Sequence, residues 1–172
     1  MSYTYREPVK VIADCLAQQL VPVLAPKPVT VSLAYQKINI PQTGLWVALS
    51  ILSSEIVPSD DADPSVPAFN EVQTAVVHDF IQIDMMSFDD SARQMRAVAA
   101  MALLSLNSEA LQEQYQIRIA RKPGPFKDTS ALEPTQYLQR YTTTIQTDSI
   151  QTYTLPAGYY NQFPNPQEVT QS

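Results

Sequence analysis

The chain has 172 residues, 45% of them hydrophobic and only 16% charged, and 11 cations against 17 anions give a net charge of −6. That is one domain's worth of chain, apolar enough to bury a core unaided and too poor in clustered cations to grip nucleic acid over its whole surface. The three glycines stand alone, and there is one cysteine and one histidine. A glycine-rich phosphate cradle, an intrachain disulfide, a cysteine zinc cage and a multi-histidine metal site are therefore excluded.

Residues 1–8 hold no apolar signal core, and the longest apolar run, 97–104, falls far short of the roughly 20 residues of a membrane span. The expectation is a soluble chain with no membrane partner. Segment 8–20 is predicted as a helix, with Pro8 at a first helical position and Val9, Ile12, Ala13, Leu16 and Leu20 on one stripe. Cys15 sits beside that stripe as a small core hydrophobe. The helix should end near Pro22 and give way to an extended connector through Pro26 and Pro28. Segment 29–39 alternates, with Val29, Val31, Leu33 and Tyr35 on one face, and reads as a strand with one buried side. After a turn at 41–44, segment 45–57 is apolar on both faces, with Val47, Leu49 and Ile51 opposed to Trp46, Ala48 and Leu52, so it is central or lies in a subunit interface.

Segment 58–70 carries Pro58, Pro64 and Pro67 with Asp60, Asp61 and Asp63, and reads as an acidic extended loop. Its spacing fails the EF-hand pattern. Segment 71–85 is a strand with Val77, Ile81, Ile83 and Met85 on one face and His78, Gln82 and Asp84 on the other. We pair it with 45–57 as a long antiparallel hairpin and expect a bend or bulge within it. Segment 87–106 is the strongest helix, with Phe88, Ala92, Met95, Ala99, Ala102 and Leu106 on one face, Ser87 as N-cap, and Asp89 and Asp90 in the first turn. Ser108 caps a short helix to Glu113. Segment 115–121 is a strand and 121–127 a cationic loop. Segment 137–147 is a strand, Asp148-Ser149 a tight turn and 150–155 its hairpin partner. The expected fold is α+β: a mainly antiparallel sheet with a long β-hairpin and one principal helix on one face, plus an N-terminal helix. Residues 1–155 form a single domain with an acidic hairpin loop at 58–70, and 156–172 an extended C-terminal arm.

No catalytic constellation emerges. His78 and Asp79 are neighbours on a strand and point to opposite faces. Asp84 with Asp89 and Asp90 could form a carboxylate cluster, but helix capping explains the last two. We therefore expect no enzyme activity, no cofactor and no metal. The residues that suggest contact with another subunit or partner are Asp60, Asp61, Asp63, Val66 and Phe69 in the acidic loop, and Arg93 and Arg96 on the polar side of the second helix. To these we add Arg121, Lys122 and Lys127 in a basic concentration that also holds Arg118, and Tyr159, Tyr160 and Phe163 in the arm.

From 44 to 148 the chain resembles the tail terminator and neck-completion proteins of tailed bacteriophages. The residues that carry the resemblance are the long hairpin, the strand ending Phe80-Ile-Gln-Ile-Asp-Met-Met86, the helix Ser87-Phe-Asp-Asp-Ser-Ala-Arg-Gln-Met-Arg-Ala-Val-Ala-Ala-Met-Ala-Leu-Leu104, and the closing strand around Leu138-Gln-Arg-Tyr-Thr-Thr-Thr-Ile145. The resemblance implies a structural virion protein, made in the host cytoplasm and placed at the neck. It implies a ring, usually a hexamer, that caps the tail tube, meets a portal-side connector and a tube or sheath protein, and leaves a lumen through which DNA passes without specific binding. The alternative from another class is a small-molecule-binding α+β domain with a pocket between helix and sheet.

Overall fold

Two strands of unusual length organise the chain. Strand β3 (Asn70–Ser87, 18 residues) pairs antiparallel with β7 (Tyr137–Pro156, 20 residues) from Asn70↔Pro156 to Ser87↔Gln139, with no break in register. The computed structural model describes residues 6–34, 42–59, 70–121, 123–132 and 137–156. The other flank of β3 takes β2 (Leu45–Ser59), also antiparallel, so the expected long hairpin is present. Strand β1 (Val29–Leu33) lies outside β2, and β4 (Ile117–Arg121) lies against β7, giving the order β1-β2-β3-β7-β4. Two short strands, β5 (Lys127–Asp128) and β6 (Ala131–Leu132), also pair with β7.

The predicted turn at Asp148-Ser149 does not form. Both residues sit inside the ladder, opposite His78 and Val77. Because β3 offers a partner along its whole length, a reversal there would have left the far half of β3 without a partner on its β7 side. The expected bulge falls in β2 rather than β3: the β2–β3 register shifts between Ile51 and Ser53, leaving Leu52 as the extra residue. Strand β1 pairs parallel with β2, from Val29↔Leu45 to Leu33↔Leu49. Gly44 makes this entry possible. Its φ is +99°, and a Cβ there would lie 2.2 Å from the carbonyl oxygen of Pro28, the same oxygen that accepts the Leu45 amide at 2.9 Å.

Helix α1 (Pro8–Leu24) begins at Pro8 as expected but continues through Pro22. The proline deletes one helical hydrogen bond, to Gln18, which is on the exposed side where the loss costs least. Helix α2 (Ser91–Leu103) starts later than predicted, because Ser87 is held as the last residue of β3. Ser87 still serves the helix start, since its Oγ accepts from the Ala92 amide at 3.0 Å, and Asp89 accepts from the Ser91 amide at 2.9 Å. Asp89 and Asp90 thus precede α2 instead of occupying its first turn. A break at Leu104-Ser105 separates α2 from α3 (Leu106–Tyr115), and Ser105 caps α3 by accepting from the Ser108 amide at 3.2 Å. Leu106, expected on the buried face, is exposed as a result.

Helices α1 and α2 lie side by side on one face of the sheet. Val9, Ile12, Leu16 and Leu20 of α1 and Ala92, Met95, Ala99 and Ala102 of α2 meet Val47, Leu49, Ile81, Ile83, Met85, Tyr141 and Ile145 in one core. The principal helix is therefore matched by α1, which the sequence assigned a lesser part. Cys15 is buried, and burial pushes its thiol above the ordinary value although Ser108 offers a hydrogen bond. On the opposite face a smaller cluster joins Ala48, Met86 and Leu138 to Trp46 and Phe88, so Phe88 leaves the α2 face predicted for it. Trp46 Nε1 donates to Ser32 Oγ at 2.8 Å there. Among the described residues no helix is long and apolar enough to cross a membrane.

Two substitutions test this packing. Ala99 is wholly buried, so Ala99→Asp should cost about 3 kcal/mol or more by burying an unpaired charge, measured by urea unfolding. Gly44→Ala combines a left-handed backbone with a clash against Pro28, and should lower stability by about 1–3 kcal/mol. A melting temperature equal to the parent's would contradict either assignment.

Candidate functional site

The core accounts for only half of the sheet. Its sheet residues fall between Leu45 and Ile51 on β2, Ile81 and Met85 on β3, and Tyr141 and Ile145 on β7. Beyond them β2, β3 and β7 continue together, flanked by β4 as far as Ile117↔Ser149 and as a three-stranded ribbon from there on. An extended 18-residue strand is about 60 Å long, whereas a compact domain of this size is about 40 Å across. The ribbon must overhang the body. It also carries exposed apolar side chains on both faces: Ile56 (65% exposed) on the helix side, and Val57 and Ile150 (60%) on the other, with Leu52 exposed at the bulge. Scattered surface apolars are ordinary, but a cluster on both sides of a projecting ribbon is not.

On the face away from the helices, one row crosses four strands. Glu55 is opposite His78, His78 opposite Asp148, and Asp148 opposite Arg118. His78 Nδ1 lies 2.7 Å from Asp148 Oδ1, and Gln146 Nε2 donates to the same oxygen at 3.2 Å. The sole histidine is thus satisfied by a carboxylate on the adjacent strand β7 rather than by its sequence neighbour on β3. Asp79, its neighbour, faces the helix side, where it is buried and accepts from Ser54 Oγ at 2.5 Å. The Thr147 and Ser149 hydroxyls beside it are buried without partners.

The carboxylates considered together do not cluster. Asp84 is buried and fully engaged. Arg140 donates to it twice, at 3.2 Å and 2.8 Å, Thr142 Oγ1 at 2.5 Å and Gln82 Nε2 at 2.7 Å. Burial pushes its carboxyl up, but the bonds from Arg140, Thr142 and Gln82 outweigh this and hold it below its usual value. Asp89 is held low in the same way, through Ser91, Lys27 and the Gly44 amide. Asp90 accepts from Gln139 at 2.8 Å. No grouping of three potential metal ligands occurs among the described residues.

Of the residues singled out in the sequence, Arg93 and Arg96 come together. With Asp90 and Gln94 they line an open surface cleft of about 300 Å³, and Arg96 lies 5.0 Å over the Tyr141 ring. Asp128 is nearby: its carboxyl is held low by the Ser130 hydroxyl and amide and, more weakly, by Arg96 and Arg93. The row of two arginines is therefore partly neutralised within the chain. Lys127 is exposed on the other face, opposite Thr142, and Arg121 stands opposite Gln146 in β4. The structure thus separates Arg93 and Arg96 from the basic edge. Asp60, Asp61, Asp63, Val66, Phe69, Lys122, Tyr159, Tyr160 and Phe163 lie outside the described residues.

Glu55, Ile56, Val57 and Ile150 escaped sequence reasoning. Glu55 and His78 sat on strands already assigned to one hairpin, so their pairing was within reach once register was known. Ile150 was hidden by the false turn at 148–149. A scan against models of protein families finds no match, and a search of curated proteins finds no significant similarity.

The Asp84 network sets an acid limit on stability. Its folded carboxyl titrates below its unfolded one, so its contribution is fully present above about pH 4 and is lost as pH falls through the lowered folded value. Asp84→Ala should cost about 1–3 kcal/mol at neutral pH by stranding Arg140, Thr142 and Gln82. Asp84→Asn should shallow the acid limb without abolishing it, since Asp89 contributes in the same direction. Unfolding curves between pH 2 and pH 7, on the order of the carboxylate range, check both.

Proposed function

We propose that this chain is a structural subunit of a tailed-phage neck, which assembles into a ring, terminates the tail tube and joins it to the head connector around a DNA channel. The observation that carries the reading is the overhanging ribbon of β2, β3 and β7, with Ile56, Val57 and Ile150 exposed on both of its faces. An extension of this kind is unfavourable in water unless another surface covers it. A ring of identical subunits supplies that surface from the neighbouring copy or from the protein above or below. The long hairpin, the Ala-rich helix across the sheet and the closing strand are the same features on which the likeness to tail terminators rests. A net charge of −6 per chain suits a lumen through which duplex DNA slides without sticking.

The test is assembly. Size exclusion with light scattering should show a closed oligomer, and negative-stain microscopy should show rings with a central opening that cap purified tail tubes. Deleting 60–66 should leave melting unchanged and reduce incorporation into particles. A monomer at every concentration, with melting that responds to a small molecule, would replace this reading with a ligand-binding domain.

A further inference from the structure

We infer that the acidic segment 60–69 of one copy docks on the outer face of α2 in a second copy of this chain, with its aspartates at Arg93 and Arg96 and its apolar residues on Met101 and Leu104. This rests on the assembly reading above and names a contact through which copies join.

The receiving surface has a charged part and an apolar part. Among the described residues, Arg6, Lys10, Lys27 and Arg140 are each paired with a carboxylate of this chain. Arg93 and Arg96 make no such ion pair there, and they share the open cleft of about 300 Å³. Asp90, which also lines it, is engaged by Gln139 at 2.8 Å. Asp128 is bound by Ser130 first and feels the two arginines only weakly. Arg96 is held over the Tyr141 ring, and Arg93 is exposed. A planar guanidinium pinned by its face keeps its edge N–H groups available to a carboxylate. The apolar part adjoins this cleft. Residues 93, 97, 101 and 104 recur at helical spacing, so one exposed stripe runs from Arg93 through Ala97 and Met101 (63% exposed) to Leu104 (50%) at the end of α2. Arg and Met are enriched at protein interfaces, and a charged anchor beside an apolar strip is the composition of a contact surface.

The occupant is read from the sequence. Segment 60–69 holds Asp60, Asp61 and Asp63, no cation, and the apolar Val66 and Phe69, so it is complementary to both parts of the stripe. Pro64 and Pro67 reduce the conformations open to the free segment, which lowers the entropy cost of seating it. The contact must be made between copies. Tyr141, under Arg96, is opposite Met85, whereas Ser59 is opposite Thr74. The stretch of β3 between Thr74 and Met85 spans about 36 Å at strand rise. Asp63 lies four residues past Ser59, and a chain of that length reaches no more than about 14 Å. No side chain closes such a gap. Each copy therefore offers its aspartates at one end of the sheet and its cleft at the other. A contact between unlike ends is heterologous, and it closes into a ring when the rotation between copies permits.

Charge reversal tests this on the full chain. Sedimentation velocity should show that Arg93→Glu, and separately the triple change Asp60→Arg, Asp61→Arg and Asp63→Arg, each weaken self-association by about tenfold or more, with circular dichroism and melting unchanged. Mixing the two variants should restore association, because each then meets a partner of opposite charge at both contacts, and recovery on mixing excludes misfolding of either one. Met101→Gln, which leaves every charge in place, should weaken association severalfold. A wild-type oligomer left intact by both reversals overturns this contact while leaving the neck reading standing. A loss with Arg93→Glu that the triple variant neither shares nor restores assigns the cleft to another partner and overturns it as well. A wild-type monomer under every condition overturns both.

Discussion

The unbroken ladder between β3 and β7 is the constraint on which the other features depend. In an antiparallel pair a slip of one residue moves every side chain to the opposite face. Here the inward set on β3 is Val77, Ile81, Ile83 and Met85, and on β7 it is Tyr141 and Ile145, and all are buried. A slip would expose this set and put Gln82 and Arg140 under the helices. The core half of the sheet therefore fixes the register, and the register runs on into the overhang, where no core enforces it. The pairing of His78 with Asp148, far from α2, is a consequence of packing at Ile81 and Ile145.

The same ladder decides how the outer face is stabilised. Polar groups there are matched across strands. Asp84 on β3 is met by Thr142, directly opposite, and by Arg140 from the same strand. Arg140 is partly exposed, so solvent screens the Coulomb part of this pair, and the value of the arrangement lies mainly in satisfying a buried carboxylate. The helix-covered face works differently. It excludes water with aliphatic side chains and Ala-lined helices, except at its far end, where Asp79 with Ser54, Thr147 and Ser149 introduces polarity as the core gives out. The transition from apolar to polar along one face marks where the body ends and the ribbon begins.

The ribbon is where the fold departs from the needs of a self-contained domain. A chain that had only to bury its own core would have no use for strands longer than the body they stiffen. Among the described residues β1 pairs with β2 as far as Leu33↔Leu49 and β4 with β7 as far as Ile117↔Ser149, and Gln112 Oε1 accepts the Ile119 amide on β4.

The sequence by itself determined the element types, the faces they bury and most of the core. Period-two alternation at Val47, Leu49, Ile81 and Ile83, and helical spacing at Ala92, Met95, Ala99 and Ala102, are local patterns. Each names its own buried side without knowledge of its partner. The paired strands of the long hairpin were legible for the same reason, since both flank one loop. What only the tertiary structure decided involves choices between partners distant in the chain. Asp148-Ser149 has turn composition, and only the presence of a matching length of β3 keeps it extended. Ser87 has the chemistry of a cap, and pairing with Gln139 holds it in a strand. The parallel seating of β1, the engagement of Asp84 by Arg140 and the row from Glu55 to Arg118 all depend on register between segments far apart in sequence. Register is set by the summed packing of a whole face, a quantity that no local window of residues contains.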